Sequence, residues 1–242
     1  MNLIKLNATP STNDYLKQLT VTNALSDFTV VWADVQTQGK GQRGAKWVTQ
    51  EAKNLTFSIF IGNSKLHIHD IFTLNVIVSN AIITALHDLN LTNIWVKWPN
   101  DILSYNKKIA GILIENTITT SGKVKSIIGI GINIDQTNFD AFPQASSIFK
   151  QYDIKVDKEQ LLLRIVDIIK NKINHLPIIT EDEWIFYHRY LFRKDQLSVF
   201  EDMNGATFNG IIKEVNPHGQ LVIQLENDDL QCFNLKEVKL MY

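Results

Sequence analysis

Three stretches carry residue types whose spacing could do chemistry. The first runs Lys97-Trp98-Pro99-Asn100-Asp101 and, past Ser104-Tyr105-Asn106, Lys107-Lys108-Ile109-Ala110-Gly111-Ile112-Leu113-Ile114-Glu115. It reads as a hairpin that brings a carboxamide, a carboxylate and an ammonium group to one end of a sheet, which suits negative charge. Pro99 cannot donate to a ladder, so Asn100 and Asp101 belong at a strand end or bend. A solvated hairpin tip with a purely packed Trp98 would show the same pattern. The second stretch, Gly39-Lys40-Gly41-Gln42-Arg43-Gly44-Ala45-Lys46-Trp47, puts three glycines, two lysines and an arginine into nine residues. Glycines let backbone N–H groups approach an anion and the cations neutralise it. The spacing is neither a Walker A loop nor a dinucleotide fingerprint. A mobile surface loop would show the same composition; Trp47 at its end favours a loop that can cover a bound base or ring. The third, Gly129-Ile130-Gly131-Ile132-Asn133, leaves every second position of one strand face bare, which favours close approach by a ligand or by another packed element. Asn133 is a polar candidate at its end. In Ser11-Thr12-Asn13, a hydroxyl can cap a helix, or all three side chains can face a ligand.

These groups need a scaffold. The pattern predicts a strand over 3–6, a helix over 14–19, strands over 28–33 and 54–61, and a long helix whose apolar face is Ile71, Leu74, Val78, Ile82, Ala85 and Leu89. After the hairpin come a strand over 124–134, a loop over 135–156, and helices over 157–174 and 181–190. From Gln196, short apolar runs at Leu197–Phe200, Phe208–Ile212 and Leu221–Leu225 alternate with turns, as in a small appended β-barrel. The expected units are residues 1–190 and 191–242. His67, His69 and His87 have no partners that would make them metal ligands, and they read as surface histidines.

Composition narrows the classes. A chain of 242 residues with 45% hydrophobic and 20% charged residues is an ordinary globular composition. With 24 basic and 25 acidic residues, the net charge of −1 argues against a dedicated nucleic-acid or membrane-surface protein. Cys232 stands alone, so no intrachain disulfide forms. The N-terminus lacks a signal-peptide core, and no run reaches the ~18 apolar residues of a membrane span. A cytoplasmic protein is expected.

Taken in order, these stretches resemble the biotin–protein ligase family over nearly the whole chain. The resemblance implies an α+β fold: a mixed sheet flanked by helices, related to class II synthetases, with an SH3-like C-terminal β-barrel. It implies two steps. Biotin's carboxylate attacks the α-phosphorus of ATP, with Mg²⁺, to give biotinyl-adenylate. A lysine of a biotin carboxyl carrier domain, such as that of acetyl-CoA carboxylase, then displaces AMP. By the resemblance, Ser11, Thr12 and Gln36 bind the ureido ring, with Asn13 beside them. Gly39, Lys40, Gly41 and Arg43 fold over biotin and phosphates, and Trp47 is the lid. Lys108 contacts carboxylate and phosphate oxygens, with Gly111 nearby, and Asn133 lies on the adenine side. Asp101 either holds Mg²⁺ or orients the acceptor lysine. Lys108, Asp101 and Arg43 are the catalytic set.

Two departures matter. Lys40, Gln42 and Ala45 stand where relatives often carry basic residues, commonly arginine, so fewer guanidinium forks reach the phosphates and the adenylate is expected to be held less tightly. The family's DNA-binding helix-turn-helix segment also has no room before Ser11, which speaks against a biotin-responsive repressor. Lipoate ligases and octanoyl transferases share the core, but their Arg-Arg and His-Asp elements are missing. A catalytically dead relative is disfavoured by Lys108, Asp101 and Arg43. Oligomeric state is left open.

Overall fold

A computed structural model describes residues 1–22, 24–62, 71–119, 124–174 and 179–242, with the Arg43 side chain also outside the described set. His67 and His69 fall outside it too, whereas the His87 ring packs at a tilt against Tyr190.

The chain runs β1 (Asn2–Thr9), α1 (Thr12–Thr22), β2 (Thr29–Gln36), β3 (Asn54–Ile61), α2 (Ile71–Asp88), β4 (Ile94–Lys97), β5 (Asp101–Ser104), β6 (Lys107–Ile118) and β7 (Val124–Asn133). It continues through α3 (Ile148–Tyr152), α4 (Lys158–Asn174), α5 (Glu181–Arg189), β8 (Leu197–Asp202), β9 (Thr207–Val215), β10 (Leu221–Leu225), β11 (Leu230–Phe233) and β12 (Val238–Met241). Seven strands form one mixed sheet in the order β1-β2-β3-β7-β6-β5-β4, with β1 and β2 parallel and the other pairs antiparallel. The C-terminal strands form an antiparallel sheet, β11-β10-β9-β8-β12. The mixed sheet with helices and a separate C-terminal β unit is the architecture expected.

Strand alternation sorts the core into two faces. Leu55, Phe57 and Ile59 of β3 join α2 and α4 in the main cluster. Phe60, with Val31 and Ile127, meets Leu16 of α1 in a second, smaller one. All eight residues of β3 are buried, so neither face of this strand meets solvent. Burying each such large side chain contributes about 1.5–3 kcal/mol. By length and hydropathy α2 could cross a bilayer, but 72% of it is buried inside the fold, where it packs on α4, α5 and the sheet.

Three local expectations change. The run 96–103 is two strands, β4 and β5, folded back at Trp98–Asn100, so the hairpin is a three-strand meander with a second turn at Tyr105-Asn106. Residues 135–156 are not all loop, because Ser147 Oγ accepts the Lys150 N–H and starts α3. Five residues are too few for a helical period to register. Strands β11 and β12 flank the C-terminal sheet at positions the hydrophobic runs did not mark. The two sheets are joined by Trp98, whose indole N–H donates to the Gly219 carbonyl (2.9 Å).

Candidate active site

A cleft of about 220 Å³ opens on the α1 face of the large sheet. Register explains its floor. Thr56 pairs with Gly131, Gly131 with Gly111, Gly111 with Asp101 and Asp101 with Lys97, a row of facing residues across five strands. Directly paired residues point to the same face, so this row carries Thr56, two bare positions, a carboxylate and an ammonium. The next row is Ser58, Gly129 and Leu113. The bare positions are needed: a Cβ on Gly129 would collide with Asn13 Oδ1, and one on Gly131 with the Trp47 indole.

One end of the cleft is neutral and polar. Ser11 caps α1, accepting from the Asp14 N–H at 3.4 Å. The turn into α1 is tied to the end of β2, since Thr37 and Gln38 donate to the Thr9 and Pro10 carbonyls. Gln36 Oε1 accepts from both the backbone N–H (2.7 Å) and the hydroxyl (3.0 Å) of Thr12. Ser58 Oγ lies 2.7 Å from Thr12 Oγ1 and 2.6 Å from Asn13 Oδ1. The Asn13 amide donates to Glu115 (2.7 Å). Ser11, Thr12, Asn13 and Ser58 are each at most 3% exposed, a buried hydroxyl and amide cage with no charge of its own at the centre. Sequence reading missed Ser58 and Thr56. The signal was the polar alternation Asn54, Thr56, Ser58 on a strand of otherwise apolar residues.

The other end is charged. Lys108 Nζ lies 2.5 Å from Asp101 Oδ1 and 5.6 Å from the Trp47 ring centre. The Lys108 backbone is clamped by the segment after β7: its N–H donates to Gln144 and its carbonyl accepts from Ser146. Asn100 exchanges bonds with Ile112, which fixes the turn ahead of Asp101. Across the cleft, the glycine-rich loop folds as a small hairpin with a single 3₁₀ turn at Gln42–Gly44. Trp47 donates to the Gly39 carbonyl, and Gly41 to that of Ala45. A Cβ on Gly39 would strike the Trp47 carbonyl. Trp47 Nε1 is buried without a partner among the described residues. Lys40 turns away from the floor to Asp14 (2.7 Å), which raises its pKa through that bond.

Of the sequence candidates, Ser11, Thr12, Asn13, Gln36, Lys40, Gly41, Trp47, Asp101, Lys108 and Gly111 line one cleft. Gly39 is not among the lining residues. Asn133 does not line it; its amide donates to the Ser146 carbonyl, holding the segment that clamps Lys108. Arg43 belongs to the loop, but its side chain lies outside the described residues. The described lining holds three lysines (40, 46 and 108) against one carboxylate, Asp101. No group of three acidic, histidine or cysteine side chains is assembled among the described residues. Asp101 therefore fits a divalent cation only of the kind that Mg²⁺ allows, one carboxylate with substrate phosphates completing the shell.

The bifunctional ligase/repressor BirA of Salmonella typhimurium is 29% identical over 231 residues, 92% of this chain and 69% of that protein. The biotin–[acetyl-CoA-carboxylase] ligase of Mycobacterium tuberculosis is 24% identical over 224 residues, 90% of this chain and 81% of that one. The chain spans only 51% of the BirA of Bacillus spizizenii, which is 29% identical to it over 170 residues. Among solved structures, the biotin protein ligase from Aquifex aeolicus in complex with biotin and ATP superposes with a TM-score of 0.82 at 23% identity, covering 99% of this chain and 98% of that one, a likeness of fold. The model of the Biotin/lipoate A/B protein ligase family matches residues 6–133, which contain every lining residue of the cleft. That match takes in 128 of the 242 residues, and the chain belongs to the biotin/lipoate A/B protein ligase family.

Proposed function

We propose that this protein is an ATP-dependent biotin–protein ligase, acting in the cytoplasm on a lysine of a biotin carboxyl carrier domain through biotinyl-5′-AMP. The observation that carries the reading is the polarity of the cleft: an uncharged hydrogen-bonding cage at Ser11, Thr12, Gln36 and Ser58, and the Lys108–Asp101 pair at the other end of the same glycine floor. Biotin has that polarity. Its ureido ring is neutral and needs donors and acceptors, and its carboxylate needs a cation.

In the first step a carboxylate oxygen bonds to the α-phosphorus, and the bond to the bridging oxygen breaks, that oxygen leaving with the electron pair on pyrophosphate. Two anions must meet, so the barrier is largely repulsion and orientation. Lys108 offsets the charge, held in place by the clamped backbone of β6. Trp47 and the loop cover the site and exclude water that would hydrolyse the mixed anhydride. Mg²⁺, when bound, supplies further charge neutralisation on the phosphates, with Asp101 as its protein ligand. In the second step the neutral amine of the acceptor lysine attacks the acyl carbon and AMP leaves. The alternative role for Asp101, in place of holding the cation, is to orient that amine.

The test is to incubate the protein with ATP, Mg²⁺, labelled biotin and a biotin carrier domain. Label on the carrier is the expected result. No labelling with biotin, together with lipoate transfer to its own carrier, would assign the chain to the other branch of the family.

A further inference from the structure

The hydroxyl protons at the neutral end of the cleft are fewer than the contacts that need them. Thr12 and Ser58 bring one each. Three contacts draw on them: Thr12 Oγ1 to Gln36 Oε1 at 3.0 Å, Ser58 Oγ to Thr12 Oγ1 at 2.7 Å, and Ser58 Oγ to Asn13 Oδ1 at 2.6 Å. Gln36 Oε1 is held as an acceptor by the Thr12 backbone N–H (2.7 Å). Asn13 Oδ1 is held as an acceptor from the far side, by Glu115. An ionised carboxylate has no proton to give, so it takes an N–H of the Asn13 amide (2.7 Å) and leaves the amide oxygen facing Ser58. The Leu113 carbonyl, 3.4 Å from the same nitrogen, is too distant to fix the amide alone.

The directions of the other bonds follow. Ser58 must donate to Asn13, because two acceptors at that distance repel unless a proton lies between them. The single Thr12 proton is then drawn between Ser58 and Gln36, and in either direction it is spent inside the cage. Turned to the cleft, it would leave the 2.7 Å contact with Ser58 without a proton. Thr12 lines the cleft while Ser58 is fully buried behind it, so Thr12 offers a ligand lone pairs alone. Glu115 stands outside the lining, opposite Ile127 and on the same face of β6 as Gly111 and Leu113. Without its carboxylate the Asn13 amide can turn its NH₂ to Ser58. Ser58 then donates to Thr12, and Thr12 is free to donate into the cleft.

We infer that Glu115 is a positioning residue: through Asn13 and Ser58 it makes the Thr12 hydroxyl an acceptor only, so that the cleft selects a ring presenting an N–H at that point. The inference deepens the ligase reading above and rests on it. Biotin's ureido ring carries two N–H groups, and a ring with oxygen in place of the one at Thr12 would set lone pairs against lone pairs.

Calorimetric titration of the full chain with biotin and with its two cyclic carbamate analogues, each with one ring N–H replaced by oxygen, tests it. The parent is expected to bind one analogue about a hundredfold or more weakly than biotin, as a site built to pair a polar group rejects the ligand that lacks it. Glu115→Met keeps the bulk of this half-buried side chain and removes the acceptor. It should narrow that ratio by about tenfold, weakening biotin and not the analogue. Glu115→Gln keeps an acceptor at the same reach without the charge and should hold the ratio within a few-fold of the parent. A merely structural part for Glu115 would weaken both ligands alike, so an unchanged ratio in Glu115→Met overturns the inference. So does a parent that binds both analogues as well as biotin, or a Glu115→Gln variant that narrows the ratio as far as the methionine does. The ligase reading fails separately, by the parent chain binding neither biotin nor an analogue, and takes this inference with it.

Discussion

The floor of the cleft and the loop facing it differ in how their backbones are held. In the floor, β3, β7, β6 and β5 are paired along their length, and the side chains behind them are buried in the main core. Its polar groups are locked in a chain of short hydrogen bonds from Gln36 through Thr12, Ser58 and Asn13 to Glu115. Among the described residues, the loop has one isolated bridge, Lys40 to Lys46, one 3₁₀ turn and one half-exposed ion pair to α1. Its neighbour Val48 is 51% exposed. On the proposed reading, the chemistry that needs fixed charges falls to the sheet, and closure over a substrate to the element that costs least to move.

This contrast can be broken most forcefully at Lys108. Lys108→Ala should lower adenylate formation by at least tenfold, followed as pyrophosphate-dependent exchange of ATP, since one charge-assisted contact is worth ~1.5–3 kcal/mol. Near-normal exchange would remove the fixed wall from the chemistry. Glycines make a finer comparison. Gly129→Ala drives a methyl group into Asn13 and should cost roughly 1–3 kcal/mol of stability along with most of the biotin affinity, read by calorimetry and thermal melting. In the loop, Gly44 has open space around a Cβ but a φ of +86°. Gly44→Ala should therefore cost only about 1 kcal/mol of backbone strain and leave biotin binding nearly intact once the loop has closed.

Smaller effects probe the loop's tether. Asp14→Asn removes the partner that raises the Lys40 pKa. A raised folded pKa means the pair supports the fold below the ordinary lysine value of 10.5 and that this support is lost as pH rises through the folded pKa. With both side chains well exposed, the expected loss at neutral pH is only ~0.2–1 kcal/mol, and it should shrink in high salt. The clearer readout is faster biotin dissociation, because the loop opens more readily. Equal dissociation rates in parent and variant would show that the tether is incidental. The smallest change is expected from Gln42→Arg. A guanidinium at this lining position of the cleft should slow escape of biotinyl-adenylate a few-fold, measured by trapping the released adenylate.

Much of the site was legible in the residues. The glycine-rich loop, the Lys97–Asp101 stretch and the glycines of β7 stood out as candidates by residue type and spacing, and the fold brings them to one cleft. Ser58 and Thr56 were hidden, because a small polar residue on an apolar strand looks the same whether it faces solvent or a buried cage. Asn133 went the other way, a polar residue at a strand end that the fold uses to brace the clamp on Lys108.

By itself the sequence determined the longer helices and strands, the mixed sheet followed by a β-rich C-terminal part, and the places where backbone would approach something closely, because periodicity and glycine placement are local properties of the chain. The tertiary structure alone decided which residues share a face. Strand register puts Thr56, Gly131, Gly111, Asp101 and Lys97 in one row, although they lie in no two adjacent positions of sequence. Register is set by pairing across the sheet and by what the opposite face must bury, and a one-residue slip would turn every one of these groups away from the cleft.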